Sequence, residues 1–173
     1  ALIQTDETNA STNLYATVTQ SLSNRYLYCF KGTITGSNTN RRAGIYIACD
    51  NPSQTQRGNS YMIWFRPDQS SVEFYKSVAN TIGSPTYSAS INITAGTTYD
   101  YKISYDRISG EIKVWQNNLF IASWTDTSPH ATGTAVSFRT GNSTFKVDDF
   151  KIFRSRATNS NILVGTANTN DLR

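Results

Sequence analysis

Apolar and polar residues alternate with a period of two along most of this chain, and the 3.6-residue period of an amphipathic helix is almost absent. Tyr99, Tyr101, Ile103 and Tyr105 alternate with Asp100, Lys102, Ser104 and Asp106. The run "DRISGE" then predicts a turn, with Gly110 free to take a positive φ. Ile112 and Val114 alternate next with Glu111, Lys113 and Trp115. Asn117-Asn118 predicts a two-residue hairpin turn, because asparagine tolerates the left-handed region that such turns need. The strand "LFIASW" follows, completing a three-strand meander that ends at Trp124, read here as an anchor at the strand end.

The same alternation marks "NRYLYCFKGTITG", "AGIYIACD", "SYMIWFR", "SSVEFYKSV", "GTAVSFRT" and "STFKVDDFKIFRS" as strands. Loops rich in Asn, Ser, Gly, Thr and Pro separate them, notably "DNPSQTQRGNS" and "NTIGSPTYS". Ten or so short strands without a helix predict two antiparallel sheets packed face to face, each burying one side. No repeat of 20–50 residues argues for a solenoid or propeller. The expected fold is all-β: a two-sheet antiparallel sandwich with jelly-roll connections. A single domain is expected over 1–156. The polar run 157–173 reads as an extension or a linker to a further domain.

At 173 residues the chain can bury a sizeable core. Only 16% of its residues are charged, so its surface relies on hydroxyls and amides, a profile common in secreted β-proteins. Net charge is +4, yet the basic residues are scattered and only Arg41-Arg42 adjoin, leaving no tract to follow nucleic-acid phosphates. No membrane span is visible. Cys29 and Cys49 each lie in an apolar run. On neighbouring strands of an oxidised protein they would pair; otherwise they are two buried thiols. CxxC and Cys/His spacings are missing, which excludes a familiar zinc site. The single histidine, His130, follows a proline in a loop, without a nucleophile elbow, and reads as a surface residue.

The segments "RRAGIYIACDN", "RGNSYMIWFR", "VEFYK", "TYDYKISYDRISGEIKVWQNNLFIASWTD" and "GTAVSFRTGNSTFKVDDFKIFRS", in that order, resemble the concanavalin A-like lectin/glucanase superfamily. More narrowly, they resemble accessory jelly-roll modules of multidomain secreted bacterial proteins, over roughly Leu14 to Arg154. The resemblance implies a carbohydrate-recognising or accessory role outside the cell, beside other domains of the same polypeptide. It also implies a structural calcium, held by an acidic residue of the last strand and by oxygens near the chain start. Asp148 and Asp149 occupy that strand position, and Glu7 or Asp6 can approach from the N-terminal side; the alternative is a solvated or salt-bridged Asp pair. Glycosidases of this superfamily carry alternating acids on one strand, a pattern missing here. The adjacent pairs Asp6-Glu7 and Asp148-Asp149 point to opposite faces if extended.

Sugars are held by flat aromatic faces together with a few polar groups that fix hydroxyls. If Ile45, Ile47, Ile63, Phe65, Ile112 and Val114 face the core, then Tyr46, Trp64, Arg66 and Trp115 point outward. With Arg42 and Asn51 at the rim, these six residues form the expected ligand face. The expected function is a non-catalytic, lectin-like module that binds a polysaccharide or oligosaccharide and targets a parent enzyme. Two other readings stay open: a spacer or protein-interaction domain with no glycan ligand, and a glycoside hydrolase with an atypical acid pair.

Overall fold

The computed structural model describes residues 1–9, 12–17 and 25–155. Among these residues there are thirteen strands and no helix. They are β1 (Leu2–Gln4), β2 (Thr12–Thr17), β3 (Arg25–Thr35), β4 (Arg42–Cys49), β5 (Ser60–Arg66), β6 (Ser71–Val78) and β7 (Thr81–Ile82). Then come β8 (Tyr87–Ser90), β9 (Thr98–Asp106), β10 (Glu111–Gln116), β11 (Leu119–Thr125), β12 (Ala135–Gly141) and β13 (Thr144–Arg154). The extension expected over 157–173 lies outside the described residues.

The strands form a six-stranded sheet, β1-β13-β3-β9-β10-β11, and a seven-stranded sheet, β2-β12-β4-β5-β6, whose last strand also pairs with β7 and β8. Every pairing is antiparallel. The predicted meander is present as β9-β10-β11. Asp106 Oδ1 accepts the backbone N–H groups of Ile108 and Ser109, and Gly110 follows at φ 74° to close the first turn. Asn117 and Asn118 have φ of 50° and 66°, the geometry of a two-residue hairpin whose twist matches that of its strands.

The core lies between the sheets. Tyr26, Tyr28, Phe30, Tyr101, Ile103 and Tyr105 from one sheet meet Ile45, Ile63, Phe65, Val72 and Phe74 from the other. Phe65 and Tyr101 join the layers with ring centroids 4.2 Å apart, and Phe30 packs at 5.4 Å from Tyr101. At the rim, Trp124 packs edge-on to Tyr61 at 5.9 Å, which is the anchoring role expected of it. The hydroxyl of Tyr61 donates to Asp126 and accepts the His130 backbone N–H, so its buried oxygen is satisfied. His130 is therefore half-buried against the Tyr61 ring at 4.8 Å, not a surface residue.

The two cysteines do not share a sheet. Cys29 is on β3 of the six-stranded sheet and Cys49 on β4 of the seven-stranded one, where it belongs to a buried cluster on the face away from the core. Both are free thiols, and burial pushes that of Cys49 up to about 12. The neighbouring-strand premise for a disulfide is thus overturned: β3 and β4 follow each other in sequence but cross between layers.

Candidate functional site on the outer face of the seven-stranded sheet

On β4, β5, β6 and β12 the residues between core positions point away from the sandwich interior. Strand register aligns them into rows. Arg139, Gly44, Trp64 and Glu73 lie side by side, as do Ser137, Tyr46, Met62 and Tyr75; Gly141 pairs with Arg42, and Arg66 with Ser71. The expected outward direction of Tyr46 and Trp64 is correct, since both belong to a second cluster, separate from the core, with Cys49, Met62 and Ala135. Their accessibility is not: Tyr46 is 0% and Trp64 4% exposed. Neither is an open stacking platform.

The cover is made of polar side chains. The Arg139 guanidinium lies over both rings, 5.8 Å from the Tyr46 centroid and 5.6 Å from that of Trp64. Its Nη1 donates to the Tyr46 hydroxyl and to Gln56 Oε1, and the Tyr46 hydroxyl donates to the same Gln56 oxygen. Gly44 is the residue across from Arg139 and Trp64; a Cβ there would sit 2.0 Å from the Ile63 carbonyl oxygen, so only glycine permits this approach of β4 to β5. The loop after β4 adds a second lid. Arg57, at φ 64°, is buried, donates to Ser137 Oγ and to the Pro52 and Gln54 carbonyls, and lies over the Tyr15 ring.

Beside this lid sits an ionic network. Arg66 grips Asp68 with two bonds, Nη2 to Oδ2 at 2.7 Å and Nε to Oδ1 at 3.3 Å, and its Nη1 is 3.5 Å from Glu73 Oε1. The side chains of Arg66, Asp68 and Glu73 are only 13%, 7% and 7% exposed. The hydrogen bond to Asp68, opposed by burial, raises the Arg66 pKa. Glu73 Oε2 also accepts the Tyr75 hydroxyl at 2.6 Å; burial first, then this bond, holds the phenol well above its ordinary value. Asn40 Oδ1 accepts from Arg42 Nη1 at 2.7 Å and from Arg66 Nη2 at 3.3 Å. The pKa of Arg42 is lowered, by burial above all and then by the like charge of Arg66 and of Arg139, with Asp68 opposing.

Of the six expected ligand residues, the structure thus brings together Arg42, Tyr46, Trp64 and Arg66. Trp115 is elsewhere, half-buried on the outer face of the six-stranded sheet, 5.9 Å from the Phe120 ring. Asn51 is exposed in the loop beyond the far end of β4, nine residues from Arg42, and lines a separate polar hollow with Asp50, Gln54 and Asn59. Alternation assigned Trp115 an outward direction without saying which sheet it belonged to. Residues that went unselected complete the site: Asn40, Gly44, Gln56, Asp68, Glu73, Tyr75 and Arg139. Glu73 was reachable by the same alternation, since it lies between Val72 and Phe74 of β6, and Arg139 follows the apolar Phe138 of β12. Their meeting across β4 and β5 depends on register, which alternation does not supply.

The acids expected to hold calcium do not converge. Asp149 pairs with Lys31 Nζ at 2.7 Å, and Asp148 lies 3.6 Å from the N-terminal ammonium. Glu7 accepts from the Ser37 backbone and hydroxyl and from Thr144 Oγ1. A β-bulge after Asp148, with Asp149 at φ 50°, alters the pleat locally. Among the described residues no three His, Cys, Asp or Glu side chains are grouped within reach of one ion. Glu7 and Asp149 are thus each engaged by other side chains of the protein.

No family model matches the sequence, and no curated protein does either. Solved structures do match in shape. A carbohydrate binding module, CBM66, from Bacillus subtilis aligns over 86% of this chain and 84% of its own, with a TM-score of 0.64 and 12% identity. The potassium-bound carbohydrate recognition domain of Emp46p aligns over 84% of this chain and 78% of its own, at a TM-score of 0.63 and 13% identity. Sheep galectin-11, solved with glycerol, aligns over 84% and 98%, at 0.60 and 12%. At such identities the likeness establishes the fold alone, a two-sheet jelly-roll sandwich.

Proposed function

We propose that this chain is a non-catalytic, lectin-like module that binds a saccharide on the outer face of the seven-stranded sheet. The observation that carries this reading is the set Arg42, Arg66, Asp68, Glu73, Tyr75 and Arg139, gathered with little exposure on a face that a sandwich ordinarily leaves to water. Fixed carboxylate, guanidinium, amide and phenol groups match the hydroxyls of a sugar, and the packed Trp64 and Tyr46 beneath hold them in place. The structural neighbours, a carbohydrate binding module and a carbohydrate recognition domain, support the same reading. A non-catalytic role fits the engagement of both carboxylates of this face with one guanidinium. In this proposal the module is secreted and holds a polysaccharide-active parent enzyme near its substrate by raising local concentration.

The test is native affinity electrophoresis against plant, algal and microbial glycans, with calcium and with EDTA. Retardation by one glycan class is expected, with a Kd in the micromolar to millimolar range, about −8 to −4 kcal/mol. Arg66→Lys, which keeps the charge but loses the two-pronged grip on Asp68, should weaken it. EDTA should have no effect. A protein retarded by no glycan would move the assignment to a spacer or protein-interaction domain.

A further inference from the structure

The arginines of this face are not equally satisfied. Arg66 has Asp68 and Glu73 as counter-ions. Arg57, buried in the lid, sends its fork to two carbonyls and a hydroxyl. Arg42 and Arg139 have neither arrangement. Among the described residues no carboxylate lies within ion-pair range of either one. Among the described residues, the one hydrogen-bond partner of the Arg42 guanidinium is the amide oxygen of Asn40. Arg139 uses Nη1 alone, toward two neutral oxygens, and its Nε is buried without a hydrogen-bond partner.

Two features make this more than an ordinary surface surplus of cations. Both side chains are partly withdrawn from water, where an uncompensated guanidinium is costly, and Arg42 is near enough to Arg66 and to Arg139 that like-charge repulsion acts on it. Across the face, Arg42, Arg66 and Arg139, with Arg57 in the lid beside them, face two carboxylates, Asp68 and Glu73, both engaged by Arg66. The site therefore holds two positive charges in excess, with unused N–H donors on the two arginines beside Gly44.

Resting on the reading of this face as a saccharide site, we propose that its ligand is an anionic saccharide, whose carboxylate or sulfate group is bound by Arg42 and Arg139. A planar guanidinium presents paired N–H donors that match two anionic oxygens, and it does so more strongly than it binds neutral hydroxyls. The anion would also relieve the repulsion among the three arginines. A neutral sugar would leave the surplus charge uncompensated.

The experiment compares glycans of one backbone that differ only in charge: polygalacturonate with its methyl ester, and a sulfated galactan with its desulfated form. Affinity for the charged form is expected to exceed that for its neutral counterpart by about tenfold or more, the scale of one charge-assisted pair. That preference should shrink as sodium chloride is raised from low to molar concentration. Arg42→Gln should lose most of the preference while its thermal midpoint stays near that of the wild type. Arg139→Lys, which retains the charge, is the second variant and should lose the preference only in part. Preference for the carboxylated form identifies a uronate-type ligand, and preference for the sulfated form a sulfated one; both support the proposal. Equal binding of charged and neutral forms, or an Arg42→Gln preference equal to the wild type's, overturns the anionic assignment and leaves the saccharide site standing. Failure to bind any glycan would instead strike the proposed function itself.

Discussion

The two outer faces of this sandwich are written with the same alternation and end in different states. On the six-stranded sheet, β3 and β10 alternate strictly between buried residues and exposed or half-buried ones. Lys31, Lys102, Glu111 and Lys113 stand on that face in contact with water. On the seven-stranded sheet, β4 is buried at every residue after Arg42, and β5 at every residue before Arg66. One face is a solvated exterior. The other is a second packed layer, assembled from aromatics and ionised groups whose burial is costly unless each is matched. A fold that needed only to be soluble would have no cause to carry that cost, and this difference is why the ligand is assigned to the second face.

Two tryptophans test the difference most directly. Trp64→Ala removes a side chain packed between β4 and β6 and beneath Arg139, and should destabilise the fold by about 3–5 kcal/mol in urea unfolding. Trp115→Ala, on the solvated face, should cost about 1 kcal/mol or less, with no change in glycan retardation. Equal losses would mean that the two faces are not distinct in burial. The next effect is that of Arg66→Ala. It leaves Asp68 and Glu73 with their principal cation gone, so about 3 kcal/mol should be lost along with saccharide binding. A variant of normal stability that still bound would remove the ionic network from the site.

Alternation carried the sequence reading a long way and failed at a definable point. It placed the meander, both of its turns and the six other long strands, and it gave Tyr46, Trp64 and Arg66 the right direction. It did not find the short strands β1, β2, β7 and β8, each too brief to show a period or bounded by ordinary loop residues. A period of two states which way a residue points but not what lies above it. Tyr46 is hidden by Gln56 and Arg139, which come from a loop ten residues downstream and a strand 93 residues away. Trp115 and Trp64 read alike because sheet membership is set by crossovers, and those leave no local trace. The same ignorance of layers put Cys29 and Cys49 on neighbouring strands. Asp148 and Asp149 were matched by position alone, and the pairing of Asp149 with Lys31 across β3 and β13 depends on register as well.

Between the two faces lies the rim that joins them, and its response should be to acid. Asp126, 7% exposed, accepts from Lys76 Nζ and the Tyr61 hydroxyl, both at 2.7 Å, and from the Ser128 backbone. Burial by itself would raise its pKa, but these bonds outweigh it and the folded value lies below the ordinary 3.8. A carboxylate with a depressed folded pKa stabilises above its unfolded pKa, and this contribution is lost as pH falls through the folded one. Asp126→Asn should therefore lose about 1–2 kcal/mol at neutral pH and show a shallower decline below about pH 4. A parallel acid limb in variant and wild type would show that Asp126 does not couple the rim to pH.

The smallest effect belongs to the solvated face and completes the contrast. Lys113 Nζ lies 2.8 Å from Glu111 Oε2, a spacing as close as that of Arg66 to Asp68, but the two side chains are 37% and 35% exposed. Water and salt screen such a pair, and holding it costs side-chain entropy. Lys113→Ala should shift stability by no more than about 0.5 kcal/mol, a shift that vanishes in molar salt, and should leave retardation by the glycan unchanged. The geometry of the two ion pairs is nearly the same; only their surroundings differ. A loss at Lys113 as large as that at Arg66 would mean that distance alone sets the worth of these contacts, and the argument from burial that places the ligand would fail with it.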